Sequence, residues 1–261
     1  MGRIESTFEQ LKRDGRTGLV MYLSVGFPNL AETPALVEAA IAGGASIIEL
    51  GVPFSDPLAD GATIQRANQV ALEHGVTMTD CIALARQLRA HGVTTPLVLM
   101  GYYNTWLNYG LERWCADAAA AGVDGAIIVD LPPEEAAAAL AATRAKSLDL
   151  VFLLAPTSGD ERIAAVGKLA SGFIYCVSLA GVPGARSELP ATLPEFLATV
   201  RRHTTLPLAV GFGISQAEHV TAVGKLAEAA VVGSALTQVI EQAPEGGRAA
   251  AVRAFVAGLR G

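Results

Sequence analysis

The chain has 261 residues, 51% of them hydrophobic and 17% charged, with a net charge of −6. Such a composition supplies a large core and excludes a disordered chain, and the length suits one large domain of α/β barrel size. An acidic chain without a Lys/Arg cluster is a poor nucleic-acid binder, because that affinity depends on neutralising phosphates, and no run of 18 apolar residues predicts a membrane span.

In chain order, residues 1–15 predict a helix that precedes the first strand and closes a barrel floor. The segment is charged and has no apolar stretch, so it does not read as a signal peptide. Nearly continuous apolar runs follow at 19–25, 46–50, 96–100, 125–129, 150–154, 173–177, 206–210 and 229–232. Runs of this kind suit strands covered on both faces. Eight is the number that closes a parallel barrel. Between them lie amphipathic stretches at 32–42, 63–74, 111–121, 133–145 and 193–203, and 77–91 predicts a second helix inserted before the third strand. No linker or shift in composition divides the chain. The expected fold is therefore α/β: a single (β/α)8 TIM barrel over residues 1–261, with an extra N-terminal helix and inserted helices.

Helix ends are legible too. Ser215-Gln216-Ala217-Glu218 fits a capping box. Pro132-Pro133-Glu134-Glu135 suits a first turn, where a missing amide is harmless and acids complement the helix dipole. The glycines of Ala42-Gly43-Gly44-Ala45 and of Ala121-Gly122-Val123-Asp124-Gly125 fit left-handed helix ends before the next strand. Cys81, Cys115 and Cys176 are odd in number and far apart, which fits neither a disulfide framework nor a zinc site. They point to a reduced, cytoplasmic setting. The scattered His74, His91, His203 and His219 read as surface or helix-terminal residues.

In such a barrel the chemistry sits at the carboxyl ends of the strands. Glu49 ends the second run and Asp60 lies in the loop "GVPFSDPLADG" that follows it. Burial disfavours a carboxylate, so Glu49 is expected to have a raised pKa, which suits general acid–base work. The alternative is an ion pair with a Lys or Arg folded back from elsewhere. Asp60 reads equally as an Asx turn or helix cap. Asp56, in Ser55-Asp56-Pro57, reads as a turn residue or a partner contact. Tyr102 and Asn104 follow the third run, Asp130 follows the fourth, and Tyr175 lies within the sixth.

Gly211-Phe212-Gly213 follows the seventh run and Gly233-Ser234 the eighth. Loops at these two places often hold a phosphate through backbone amides and a helix N-terminus. Neither carries Lys or Arg, so dipoles and amides would hold the anion; ordinary strand-to-helix turns are the alternative. The long stretch "SLAGVPGARSELP", 178–190, reads as a lid or as a mere connection.

These residues together resemble the tryptophan synthase α subunit family, the indole-3-glycerol-phosphate lyases, along nearly the whole chain. The resemblance is carried by the stretch from Glu49 to Gly61, "ELGVPFSDPLADG", continuing through Ile64-Gln65. It is carried also by Tyr102-Tyr103-Asn104, Asp130-Leu131-Pro132, Gly211-Phe212-Gly213-Ile214 and Gly233-Ser234. It implies retro-aldol cleavage of indole-3-glycerol phosphate to indole and glyceraldehyde 3-phosphate, a step in tryptophan biosynthesis. Glu49 then matches the general acid–base and Asp60 the carboxylate facing the indole N–H. Gly184, Gly211, Gly213, Gly233 and Ser234 match phosphate contacts. Tyr175 and Tyr102 match pocket residues, and Tyr22, Met100 and Phe212 suit an apolar indole slot.

The resemblance implies no metal or cofactor on this chain. It implies a pyridoxal-phosphate-bearing β subunit in an α2β2 tetramer, with Pro53, Asp56, Asn104 and Pro132 as candidate contact residues. In one respect the sequence departs from the family: Gly181-Val182-Pro183-Gly184 has Pro where a Thr is usual, and Leu179 stands where Arg or a small polar residue is common. Proline offers neither hydroxyl nor N–H, so loop closure would lack that contact to Asp60. Other readings remain open: a stand-alone lyase releasing indole, a weakly catalytic allosteric partner, or another sugar-phosphate isomerase barrel.

Overall fold

The structure is a computed structural model that describes residues 2–177, 190–211 and 213–260. Eight strands form one closed barrel in chain order: β1 (Gly18–Ser24), β2 (Ile47–Gly51), β3 (Leu97–Gly101), β4 (Gly125–Ile128), β5 (Asp149–Leu154), β6 (Ile174–Val177), β7 (Leu208–Gly211) and β8 (Ala229–Val232). Each is parallel to the next, and β8 pairs with β1 through Gly18 opposite Ala229. Every expected run is a strand, within two residues at either end. β7 starts latest relative to expectation, just after Pro207, which has no amide to donate.

Side chains alternate along each strand, so residues two apart share a face. Val20, Ile47, Val98, Ile127, Val151, Phe173, Ala209 and Ala229 form the packed barrel interior. The outward faces, among them Met21, Ile48, Leu99, Phe152, Cys176 and Val210, pack beneath the surrounding helices.

α1 (Arg3–Arg13) closes the floor as expected. Ile4, Phe8 and Leu11 recur at helical spacing, are buried, and join the interior cluster from below. Burial of each such side chain stabilises by roughly 1.5–3 kcal/mol. Arg3 ties the helix to Asp124 just ahead of β4, at 2.9 Å.

The ring of helices continues with α2 (Thr33–Gly43), α3 (Ala62–Glu73), the inserted α4 (Met78–Ala90), α5 (Tyr103–Tyr109), α6 (Leu111–Ala120), α7 (Ala137–Ala145), α8 (Asp160–Leu169), α9 (Leu193–Arg201), α10 (Ala217–Gly224), α11 (Ser234–Gln242) and α12 (Arg248–Gly258). α5, α8 and α12 were not anticipated. α12 lies against α2 so closely that a Cβ at Gly43 would stand 2.7 Å from the Arg253 carbonyl oxygen. The expected left-handed ends are present at Gly44 (φ 111°) and Gly122 (φ 82°).

Three local expectations are corrected. The stretch 133–145 is not one helix: a 3₁₀ turn over Pro133–Glu135 ends at Ala136, and α7 begins after it. The capping box at Ser215 does not form, because α10 starts from Gln216 without a side-chain cap bond. A box forms at α4 instead, where Asp80 Oδ2 accepts from the Thr77 N–H at 2.8 Å. Third, His219 lies near a helix end, as expected, but is buried there. The three cysteines are free and buried. Among the described residues no helix is long and apolar enough to cross a membrane, and no cluster of metal-ligating side chains occurs.

Candidate active site

The period-two rule places the candidate residues. Two positions beyond the interior residues Val20, Ile47, Val98, Phe173, Ala209 and Val231 come Tyr22, Glu49, Met100, Tyr175, Gly211 and Gly233. All six therefore face the same side as the barrel interior, one layer nearer the mouth. Tyr22 lies opposite Glu49 in the β1–β2 register, and Met100 and Tyr175 pack on the top of the interior cluster.

Two of the strand glycines have a steric reason. A Cβ at Gly51 would meet the Tyr22 hydroxyl, and one at Gly211 would stand 2.7 Å from the Tyr175 hydroxyl. The absent side chains make room for two phenols over the barrel interior. Burial raises the pKa of both phenols; the charges of Asp60 and Glu49 raise that of Tyr22 further, and those of Glu49 and Asp60 that of Tyr175. Both stay neutral hydrogen-bonding groups. The slot is less apolar than expected, since the Tyr22 hydroxyl pairs with Ser24 Oγ at 3.2 Å. Ser24 escaped the sequence reading, although its position two residues after Tyr22 on one strand was the signal for it.

Glu49 is fully buried, and neither carboxyl oxygen has a hydrogen-bond partner among the described residues. The ion-pair alternative therefore fails there. Burial alone pushes its pKa up to about 8. A protonated carboxyl with both oxygens free suits giving a proton to a bound molecule.

Asp60 sits in a more polar place. Its Oδ2 accepts from the Tyr102 hydroxyl at 3.2 Å. That same hydroxyl oxygen accepts the Ala59 N–H at 3.0 Å, and the Tyr102 ring stacks on Phe54 with centroids 5.1 Å apart. Burial raises Asp60 to about 6, and the Tyr102 bond opposes that rise. At neutral pH Glu49 thus keeps its proton while Asp60 is mainly ionised. The cap alternative for Asp60 does not hold: Gly61 is the N-cap of α3, and it is the Asp60 carbonyl that accepts from Gln65 Nε2 at 2.8 Å. Asp130 Oδ1 accepts the Tyr103 N–H at 2.7 Å, which anchors α5 directly after Tyr102.

The two glycine loops stand at the same end. Gly213 has φ +54°, and among the described residues nothing lies within 4 Å of where a Cβ would be. Gly233 precedes Ser234, the first residue of α11, and a Cβ there would lie 3.5 Å from Tyr22 Cβ. Gly184 and Phe212 fall outside the described residues, as do Leu179, Pro183 and nearly all of the proposed lid. Among the candidate contact residues Asp56 and Asn104 are exposed and Pro132 is half-buried. Pro53 is corrected: it is buried within this chain, so it offers little surface to a partner.

The chain is similar to known proteins along nearly its whole length. A family model described as tryptophan synthase alpha chain matches residues 8–258. The tryptophan synthase alpha chain of Roseiflexus castenholzii is 58% identical over 261 residues, covering all of both chains. That of Burkholderia multivorans is 47% identical, covering all of this chain and 96% of its own. Among solved structures, tryptophan synthase subunit alpha from Legionella pneumophila superposes with a TM-score of 0.92 at 35% identity, covering 100% of this chain and 97% of that one. A ligand-free tryptophan synthase from M. tuberculosis gives 0.90 at 33% identity, covering 100% of this chain and 98% of that chain. Matching over this length and at this identity, the chain belongs to the tryptophan synthase alpha chain family.

Proposed function

We propose that Glu49 and Asp60 divide the chemistry of this lyase between them. The chain is an α subunit of tryptophan biosynthesis that cleaves indole-3-glycerol phosphate, a carbon–carbon lyase reaction. The observation that carries the residue assignment is Glu49: a fully buried acid, one layer above the barrel interior, with both oxygens unpaired among the described residues.

The reaction then runs in two proton transfers. Protonated Glu49 gives its proton to the indole C3, because an indolyl carbanion is a poor leaving group. The ring nitrogen becomes cationic, and the Asp60 carboxylate accepts a hydrogen bond from its N–H and steadies the charge. Glu49, now anionic, takes the proton of the hydroxyl on the adjoining carbon. The bond between that carbon and C3 breaks, its electrons restore the aromatic ring, and glyceraldehyde 3-phosphate forms as the aldehyde. Glu49 ends protonated as it began. As written, the cycle needs no metal or cofactor on this chain.

Tyr22, Met100, Tyr102, Tyr175 and Phe212 would form the indole slot. The amides of Gly184, Gly211, Gly213, Gly233 and Ser234 would hold the phosphate, with each helix N-terminus adding about 0.3–1 kcal/mol or more where buried. The chain would act as one domain, residues 1–261, in the cytoplasm. The family implies a β subunit as partner, and an α2β2 tetramer is the expected assembly, with exposed Asp56 and Asn104 at the contact.

The test is incubation of the purified chain with indole-3-glycerol phosphate, with and without a β subunit, beside Glu49→Gln. Indole release should accelerate with the partner. The variant should lose about 10²–10⁴-fold, the scale of general acid–base catalysis, because an amide cannot give up a carboxyl proton. Equal rates for the two chains would overturn the assignment. A rate indifferent to the β subunit would favour a stand-alone lyase.

A further inference from the structure

The loop after β7 turns at Gly213 and enters α10 through Ile214, Ser215 and Gln216. Gly213 is left-handed, and among the described residues nothing packs at its Cβ position. The turn is held from its far side. Ile214 is buried, 1% exposed. The Ser215 N–H donates to Nδ1 of His219 at 3.3 Å. His219 sits in the first turn of α10, 6% exposed, on the same inner face as Val220 and Val223. Its Nε2 has no partner among the described residues. Gln216, the N-cap, makes no side-chain cap bond, and the imidazole, at the third helical position, reaches back to the amide just ahead of the N-cap.

An imidazole that accepts at Nδ1 is neutral and carries its proton on Nε2. The other tautomer, or the cation, would set two donors face to face. The Ser215 amide is therefore spent on the ring and is not offered to an anion. Among the described residues the Gly213 and Ile214 amides at the bend have no backbone partner.

We propose that His219 is a positioning residue for phosphate recognition: by accepting the Ser215 N–H it fixes the 213–215 bend, and with it the place of the Gly213 amide in the phosphate site. This rests on reading the loops after β7 and β8 as the phosphate site. Glu49 and Asp60 stand on β2 and its following loop, so loosening the bend reaches phosphate affinity and leaves the proton transfers alone.

The experiment measures inorganic phosphate as a competitive inhibitor, together with KM and kcat for indole-3-glycerol phosphate, in the native chain, His219→Leu, His219→Gln and Gly233→Asp. Loss of one buried hydrogen bond corresponds to about a tenfold effect. His219→Leu should raise the phosphate inhibition constant and KM by about that factor, with kcat within about twofold. His219→Gln, whose amide oxygen can accept from Ser215, should recover most of the loss. Gly233→Asp, which adds a negative charge at the phosphate, should abolish phosphate inhibition. If Gly233→Asp is inhibited like the native chain, the phosphate reading fails and the inference with it. If it is not, and His219→Leu keeps the native constant, the inference alone is overturned. Equal damage from Leu and Gln would also overturn it, since only volume would then matter. Should His219→Leu not fold, ¹⁵N NMR of the native ring decides: a proton on Nδ1 rather than Nε2 at neutral pH sinks the proposal.

Discussion

At the floor of the barrel Asp124 is surrounded by donors, whereas at the mouth Glu49 has none among the described residues. Asp124, with a side chain only 7% exposed, accepts from Arg3 at 2.9 Å, Arg89 at 2.7 Å and the Leu97 N–H at 2.8 Å. It joins α1, α4, β3 and β4 in one node. Glu228 does the same beside β8, taking Arg201 and the Leu208 N–H. Such acids are surrounded by cations and amides that donate to them, and they hold elements in register. Glu49 is more deeply buried and has no compensating partner among the described residues, so it keeps its proton to about 8 and destabilises its own fold above the usual carboxylate range. The contrast separates structure from chemistry within one barrel. Burial of an acid is common to both ends, and satisfaction of its oxygens tells them apart.

The widest break in this comparison comes from Asp124→Ala. It strips partners from the half-buried Arg89 and from a strand amide, and removing one member of a buried pair costs about 3–5 kcal/mol. Denaturant unfolding should register that loss while indole release, at a temperature where the variant is folded, stays near native. A stability loss under about 1 kcal/mol would show that Arg89, which also donates to the carbonyls of Gly122, Val93 and Thr95, is satisfied without it.

Glu49 should show the opposite sign. Between the ordinary carboxylate range and about 8 the folded chain holds a proton that the unfolded chain has released. Stability therefore falls as pH rises through that window, by on the order of 3 kcal/mol between pH 5 and 8. Glu49→Gln has no such proton and should flatten that slope. Asp60 adds a smaller decline ending near 6. A parent whose stability rises from pH 5 to 8, by thermal unfolding, would contradict the unpaired state of Glu49.

The smallest effect belongs to Tyr102→Phe, which takes a bond from Asp60 and an acceptor from the Ala59 N–H. A lost hydrogen bond of this kind is worth about 1 kcal/mol. The native profile of kcat/KM should be a bell with an acidic limb near 6, from Asp60, and an alkaline limb near 8, from Glu49. The Tyr102 bond lowers the Asp60 pKa, so its removal should move the acidic limb upward and leave the alkaline limb in place. Movement of both limbs together would mean that the two carboxyls titrate as a coupled pair rather than separately.

Much of the barrel was readable from one dimension because its signals are local. Eight apolar runs, the floor helix and the glycines at 44 and 122 all depend on neighbours in the chain. Helices α5, α8 and α12 lacked such cues, and α12 gains its place by packing on α2 across more than two hundred residues. The capping box was assigned to Ser215 on composition, yet the Ser215 amide found a buried imidazole four residues on and the box formed at Thr77 and Asp80.

The sequence by itself determined the eight runs and their order, and with them that Glu49, Asp60, Tyr102 and the glycine loops at 211–213 and 233–234 belong to one end of a barrel. It could not say what stands opposite them. That Glu49 meets no cation among the described residues, that Tyr102 bridges Asp60 to Ala59, and that glycines at 51 and 211 make way for two phenols are decided by barrel closure, which brings β1 beside β8 and β2 beside β3. A carboxyl's pKa follows from every group around it, and most of those groups arrive from distant parts of the chain.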